Sequence, residues 1–186
     1  MTETRPITMP RGRAFTVADL ELFPDDGNRY ELIEGELLVS PLPTVAHQTA
    51  MLELAYLLDT TAPPDLQVIF APFALQPNGN TQVQPDVLVA PKVEFTETNL
   101  PTAPLLAVEI LSPGSAIKDF HMKKALYERL GTPSYWIVDP IDPTLTVFEL
   151  DQNGEYQQVA EVEGEQAFAA TRPFPIRVVP GELLAG

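Results

Sequence analysis

Apolar and polar positions along the chain change period several times, and each change predicts an element. Thr16 can cap a short helix, Val17 to Phe23, that ends at Pro24 and the turn-forming Asp25-Asp26-Gly27-Asn28. Arg29 to Ile33 and Glu36 to Ser40 read as a hairpin around Glu34-Gly35. Ala46 to Leu58 reads as a helix, with Leu52, Tyr56 and Leu57 among its apolar positions. Short strands follow at Leu66 to Phe70 and Phe73 to Gln76, then a polar loop, Pro77 to Gln82, and a strand from Val87 to Ala90. A second loop leads to Leu105–Leu111, an almost unbroken apolar strand. Ser112-Pro113-Gly114-Ser115 starts a helix from Ala116 to Leu130, stopped by Gly131 and Pro133. Tyr135 to Val138 is another apolar strand, closed by Asp139-Pro140. Leu145–Leu150 and Gln157–Val162 form a closing hairpin around Asn153-Gly154, and the tail, Phe174 to Leu184, adds an edge strand.

The centre of this pattern is strand, strand, helix, strand, which predicts an α/β or α+β sandwich with a mixed sheet. Strands 105–111 and 135–138, joined through a helix, are expected to lie parallel in a right-handed crossover. Twenty prolines mark many of the boundaries, and no internal repeat or low-complexity block interrupts them. A length of 186 residues fits one domain over 1–186, with its core at about 15–150 and a C-terminal hairpin and tail at 151–186.

Composition narrows the chemistry. With 45% hydrophobic and 20% charged residues the chain is globular. No apolar run is long enough for a bilayer, and no apolar stretch follows the N-terminal arginines, so a cytoplasmic protein without a membrane partner is expected. The absence of cysteine excludes disulfides, thiolate zinc sites and cysteine nucleophiles. His47 and His121 are the only histidines, so a metal site must be built mainly of oxygen, which points to Mg²⁺ or Mn²⁺. A net charge of −15 counts against tight binding of nucleic acid, which clustered Lys and Arg normally drive.

Glu109 carries the most information, because every neighbour in Leu105–Leu111 is apolar. A carboxylate buried there needs a paired charge or a cation; the alternative is an ion pair or a sheet end in water. Asp86 stands after Pro85 at the mouth of the apolar Val87-Leu88-Val89, as a strand cap or as a ligand. If the two strands are neighbours, Asp86 and Glu109 can share one cation. On the following helix Lys123 falls on one stripe with Ala116, Phe120, Tyr127 and Leu130, whereas Lys124 points about a right angle away. An inward lysine needs an anionic partner, either those carboxylates or Asp119 one turn earlier. His47 is read as a capping or solvated residue rather than a cleft residue, and His121 as surface. Ser112 has no histidine at useful spacing, which removes a serine hydrolase. Tyr127, Tyr135 and Trp136 are read as core, and Asp139 as a strand terminator.

Pro85-Asp86, then Val108-Glu109-Ile110-Leu111-Ser112-Pro113, then Asp119, Lys123 and Tyr127, then Tyr135-Trp136-Ile137-Val138-Asp139-Pro140 resemble the Uma-two family of restriction-endonuclease-like proteins, within the PD-(D/E)XK nuclease superfamily. Tyr30 to Leu37, followed by His47, is similar to the family's N-terminal signature, and the likeness covers roughly residues 15 to 150. The resemblance implies a restriction-endonuclease-like fold, a mixed central sheet flanked by helices with extra β-hairpins. It implies metal ligands at Asp86 and Glu109, a catalytic lysine at Lys123 and Glu31 as a further acidic member of the site. Leu111 departs from the superfamily pattern, since a lysine is expected two residues after Glu109; Lys123 on the next helix takes that place. The implied reaction is metal-activated hydrolysis of DNA phosphodiesters by a homodimer that brings few basic residues, such as Arg11, Arg13 and Arg29, to its cleft. Against this stands a catalytically inactive nuclease-fold binding or assembly protein, favoured by the negative charge. A glycosidase carboxylate pair explains less, because it leaves Lys123 without a role.

Overall fold

The longest apolar runs of the chain become the inner strands of a six-stranded sheet, because only a strand covered on both faces can bury every side chain. The computed structural model describes residues 12–112 and 117–184, with the side chains of 117–119 outside that description. In chain order the strands are β1 (Arg29–Ile33), β2 (Glu36–Ser40), β3 (Leu66–Phe70), β4 (Ala74–Asn78), β5 (Thr81–Val83), β6 (Val87–Pro91), β7 (Asn99–Leu100), β8 (Leu106–Ile110), β9 (Ser134–Asp139), β10 (Thr144–Leu150), β11 (Tyr156–Glu163), β12 (Phe168–Ala170) and β13 (Ile176–Val178). The helices are α1 (Val17–Leu20), α2 (Val45–Thr61) and α3 (Ile117–Leu130).

The main sheet has the order β11-β10-β9-β8-β6-β3. Within it β8 and β9, the strands on either side of α3, run parallel, and the remaining pairs are antiparallel. A second sheet, β2-β1-β5-β4-β7, is built outward from the β1–β2 hairpin. Alternation along the inner strands divides the core in two. Val87, Val89, Leu106, Val108 and Ile110 face one way, beneath α2 (Ala50, Leu54, Leu58) and the C-terminal Phe174, Val178 and Leu183. Leu88, Ala90 and Ala107 face the other way, where Leu126 and Tyr127 of α3 meet Leu75 and Val83 of the second sheet. This mixed sheet flanked by few helices is the expected α/β architecture, and the β1–β2 and β10–β11 hairpins have their expected turns.

Several boundaries differ from expectation, each for a physical reason. α1 stops at Leu20, before Phe23. The loop expected over 77–82 contains most of β5, three residues that pair with β4 and β1. A strand that short carries too few positions for a period of two to register. The second expected loop holds a 3₁₀ turn, Lys92–Glu94, and the two-residue β7. The start of the helix after Leu111 falls on residues 113–116, outside the described residues. The tail does not extend either large sheet. β13 instead pairs with β12 in a separate ladder, between Pro173-Phe174-Pro175 and a 3₁₀ turn at Pro180–Leu184. Prolines lack the N–H a long ladder needs.

The largest correction concerns α2. Leu52 and Tyr56, read as apolar positions of that helix, stand exposed. The buried stripe is His47, Ala50, Met51, Leu54, Ala55 and Leu58, the spacings of three and four that mark one helix face. Small residues and a histidine occupy half of that stripe, and Leu57, also read as apolar, packs at its margin.

Candidate active site

β6 and β8 pair antiparallel with Val87 opposite Val108. Continuing that register by one step sets Asp86 opposite Glu109, and partners in an antiparallel ladder project to the same face. Asp86, Glu109 and Lys123 are only 1%, 2% and 4% exposed, so the polar cluster is an interior one. Burial on this scale requires every charge to have partners.

The partners come from four elements. β1 alternates Arg29, Glu31 and Ile33 onto its inner face, and the carboxylate of Glu31 is fully buried. Glu31 Oε1 accepts the Gln84 backbone N–H at 2.6 Å and lies 3.0 Å from Lys123 Nζ. The Lys123 ammonium also donates to Glu109 Oε2 at 2.9 Å, and one helical turn on, the Tyr127 hydroxyl donates to Glu109 Oε1 at 2.7 Å. Residues four apart on α3 thus hold both oxygens of one carboxylate. Asp86 Oδ1 accepts from the Arg29 guanidinium at 2.9 Å, and Oδ2 accepts from the Ile110 backbone N–H at 2.8 Å. His47 Nε2, at the head of the buried stripe of α2, stands 3.2 Å from the same Oδ2.

Opposite forces act on the two central carboxylates. Burial pushes the Glu109 carboxyl up to about 7; Lys123 pulls against this, and the like charges of Asp86 and Glu31 add to it. For Asp86, burial works in the same upward direction but is outweighed by the hydrogen bond to His47 and the charges of Arg29 and Lys123, which hold it at about 2. Burial lowers the Lys123 ammonium's affinity for its proton, yet Glu109 and Glu31 outweigh burial and raise its pKa above the ordinary value. Lys123 is therefore a cation in this setting. Three carboxylates (Glu31, Asp86, Glu109) face two permanent cations (Arg29, Lys123), and Glu31 Oε2 is buried without a hydrogen-bond partner. Among the described residues no group of three or more His, Cys, Asp and Glu stands as a ready cage for a metal ion.

The cluster forms the floor of a cleft of about 540 Å³. Lys123 faces it as its stripe predicts, while Lys124 turns away to lie 4.2 Å over the Phe148 ring. One expectation needs correction. His47 is neither solvated nor a capping side chain: its backbone N–H is capped by Thr44 Oγ1, while its ring is buried against Asp86. Arg29 lines the cleft and is bound there to Asp86. Arg13 is bound to Asp19 at 2.7 Å, and Arg11 and the side chain of Asp119 lie outside the described residues. His121 is exposed, Tyr135 and Trp136 are core, and Asp139 ends β9 by accepting the Ile141 N–H. Period-two alternation from Glu31 points to Arg29, and the 47-50-54-58 spacing points to His47; both signals are in the sequence.

Among the described residues no helix is long and apolar enough to cross a membrane. No curated protein matches the chain in sequence. A solved structure described as "a putative nuclease belonging to DUF820", from Anabaena variabilis ATCC 29413, has the same fold, with a TM-score of 0.70 and 19% identity over 92% of this chain and 98% of that one. The profile of the Uma2 family, described as "Putative restriction endonuclease", matches residues 17–180, from α1 to the last 3₁₀ turn. The chain belongs to the Uma2 family of restriction-endonuclease-like proteins.

Proposed function

We propose that this protein is a cytoplasmic endonuclease that hydrolyses DNA phosphodiesters with a divalent metal, Mg²⁺ or Mn²⁺, at Asp86, Glu109 and Lys123, with Glu31 as an additional acidic member of the site. The observation that carries the reading is the buried Asp86–Glu109 pair on adjacent strands, reached by the Lys123 ammonium from α3. The residues fit a hard cation: the donors are carboxylate oxygens, the cluster carries more negative than positive charge, and one buried oxygen of Glu31 has no hydrogen-bond partner. Asp86 and Glu109 would hold the ion, with water and substrate oxygens completing its shell, as Mg²⁺ normally requires. When bound, the metal supplies Lewis-acid stabilisation of the phosphoryl charge and makes hydroxide available near neutral pH.

The chain's own groups do the rest. Lys123, charged and fixed between Glu31 and Glu109, faces the cleft where it can donate to a phosphoryl oxygen as negative charge builds there. Tyr127 holds Glu109, and Arg29 with the Ile110 N–H holds Asp86, so both carboxylates are pre-set. In the reaction an oxygen of water bonds to phosphorus, one ester P–O bond breaks, and the leaving alkoxide takes a proton.

The test is Mn²⁺-dependent cleavage of plasmid and single-stranded DNA by wild type, Asp86→Ala and Lys123→Ala. Wild type cuts, and each substitution lowers the rate roughly a hundredfold or more. Cleavage that survives both substitutions overturns the site. A second reading, a non-catalytic binding or assembly protein, draws on the net charge of −15 and on a cleft whose lining Lys and Arg among the described residues, Lys123 and Arg29, are both tied to carboxylates. No cleavage by wild type, with no heat of metal binding in calorimetry, selects that second reading.

A further inference from the structure

The substrate class follows from how the cluster is enclosed, and this step rests on the nuclease reading above. Glu109 and Asp86 are almost inaccessible from bulk solvent, at the floor of a cleft of about 540 Å³. That volume is within the range of sites that enclose one small molecule, the size class of a nucleotide unit. Duplex DNA is a stiff rod with a persistence length of about 50 nm, and its phosphates stay on the outside of that rod. For a duplex phosphate to reach these carboxylates, the walls must move or the strand must leave the helix. A single strand has neither constraint.

The walls add a second observation. Tyr30 of β1, backed by the Phe23 ring at 4.7 Å, and Phe120 of α3 both line the cleft, and both are partly exposed. The Tyr30 hydroxyl is engaged by Asp26, which fixes the ring. Partly exposed aromatic rings in a cleft offer unpaired bases a stacking surface without reading their sequence. Charge gives the third observation. Docking a duplex takes Lys and Arg contacts along the phosphates. Among the described residues the lysine and arginine side chains lining this cleft are Arg29 and Lys123, each already paired with carboxylates. Asp25 lines it as well. Recognition by enclosure and stacking suits such a site better than recognition by charge.

We infer that this site acts on unpaired DNA, taking one nucleotide unit of a single strand into the cleft against Tyr30 and Phe120, and does not act on intact duplex. The experiment compares an end-labelled oligodeoxynucleotide, the same strand annealed to its full complement, and the same duplex carrying an unpaired bubble, each with wild type and Mn²⁺. The single strand is cut, the bubble is cut only within its unpaired stretch, and the intact duplex is spared. Tyr30→Leu and Phe120→Leu, checked for native circular dichroism, each raise KM for the single strand by about tenfold. Cutting of the intact duplex at the single strand's rate overturns the inference and leaves the nuclease reading in place. An unchanged KM in both folded variants overturns it too. Cleavage of none of the three overturns the nuclease reading and this inference together.

Discussion

A carboxyl group whose pKa lies at about 7 is half-protonated at neutral pH, and burial beside Asp86 and Glu31 brings Glu109 there despite the pull of Lys123. Its ordinary value is 4.5, so the folded protein holds this proton more tightly than the unfolded chain does. Glu109 therefore contributes full stability below about pH 4.5, and that contribution is lost as pH rises through about 7. Asp86 works in the opposite sense. Its folded value of about 2 lies below the ordinary 3.8, so its contribution is present above that value and lost as pH falls through about 2. Glu109→Gln is neutral at every pH, keeps the shape and removes the first of these slopes. Urea titrations across this range are expected to show the wild type losing stability relative to Glu109→Gln between about pH 4.5 and about pH 7. Parallel profiles for the two proteins would show that Glu109 titrates normally.

The β1–β2 hairpin is the element that delivers Arg29 and Glu31, and its tip decides how well it does so. Glu34 and Gly35 both have positive φ, 53° and 82°, the geometry that matches the right-handed twist of the flanking strands. Gly35 is also walled in: a Cβ there would lie 2.6 Å from Ala14 Cβ and 3.1 Å from the Phe15 carbonyl oxygen. Its amide donates to the Asn80 carbonyl, tying the tip to the turn before β5. Gly35→Ala must therefore displace the segment before α1 as well as strain the backbone. A cost of about 2–4 kcal/mol is expected, from overpacking added to left-handed strain. Gly154 in the β10–β11 turn has φ of 81° with nothing within 4 Å of its Cβ position. Gly154→Ala should then cost only about 1–2 kcal/mol, the backbone term alone. Equal losses in chemical denaturation would remove the packing argument.

At the level of the whole molecule, a net charge of −15 sets the terms on which anything binds. Binding of DNA is expected to be weak and salt-sensitive, because long-range repulsion opposes it. The same charge makes the exposed apolar residues of α2 notable. Val45, Leu52 and Tyr56 follow one another at spacings of seven and four on its outer face, with Phe70 beside them, and each is more than half exposed. We propose this face as the contact of the homodimer that the family resemblance implies, since a large net negative charge leaves self-association to apolar patches. Sedimentation velocity should show a dimer for wild type and a monomer for Leu52→Glu with Tyr56→Glu. A monomeric wild type at every concentration would dispose of the dimer.

What the sequence determined by itself was the local physics. Unbroken apolar runs at β6 and β8, the capped and glycine-stopped helices, and the turn residues of two hairpins located most elements within a few residues. The cost of burying a charge singled out Glu109, and the helical period chose Lys123 over Lys124; both follow from one segment without knowledge of its neighbours. Tertiary structure decided what those charges meet. Arg29 and Gln84 reach the site only because β1 and β5 pair, and His47 only because the stripe of α2 that carries it turns inward. That choice belongs to the packing of α2 on the sheet, where Ala50 and Ala55 allow close approach and Leu52 and Tyr56 are left outside. Hydrophobicity is a property of each residue; which face of a helix is covered depends on the shape of what covers it.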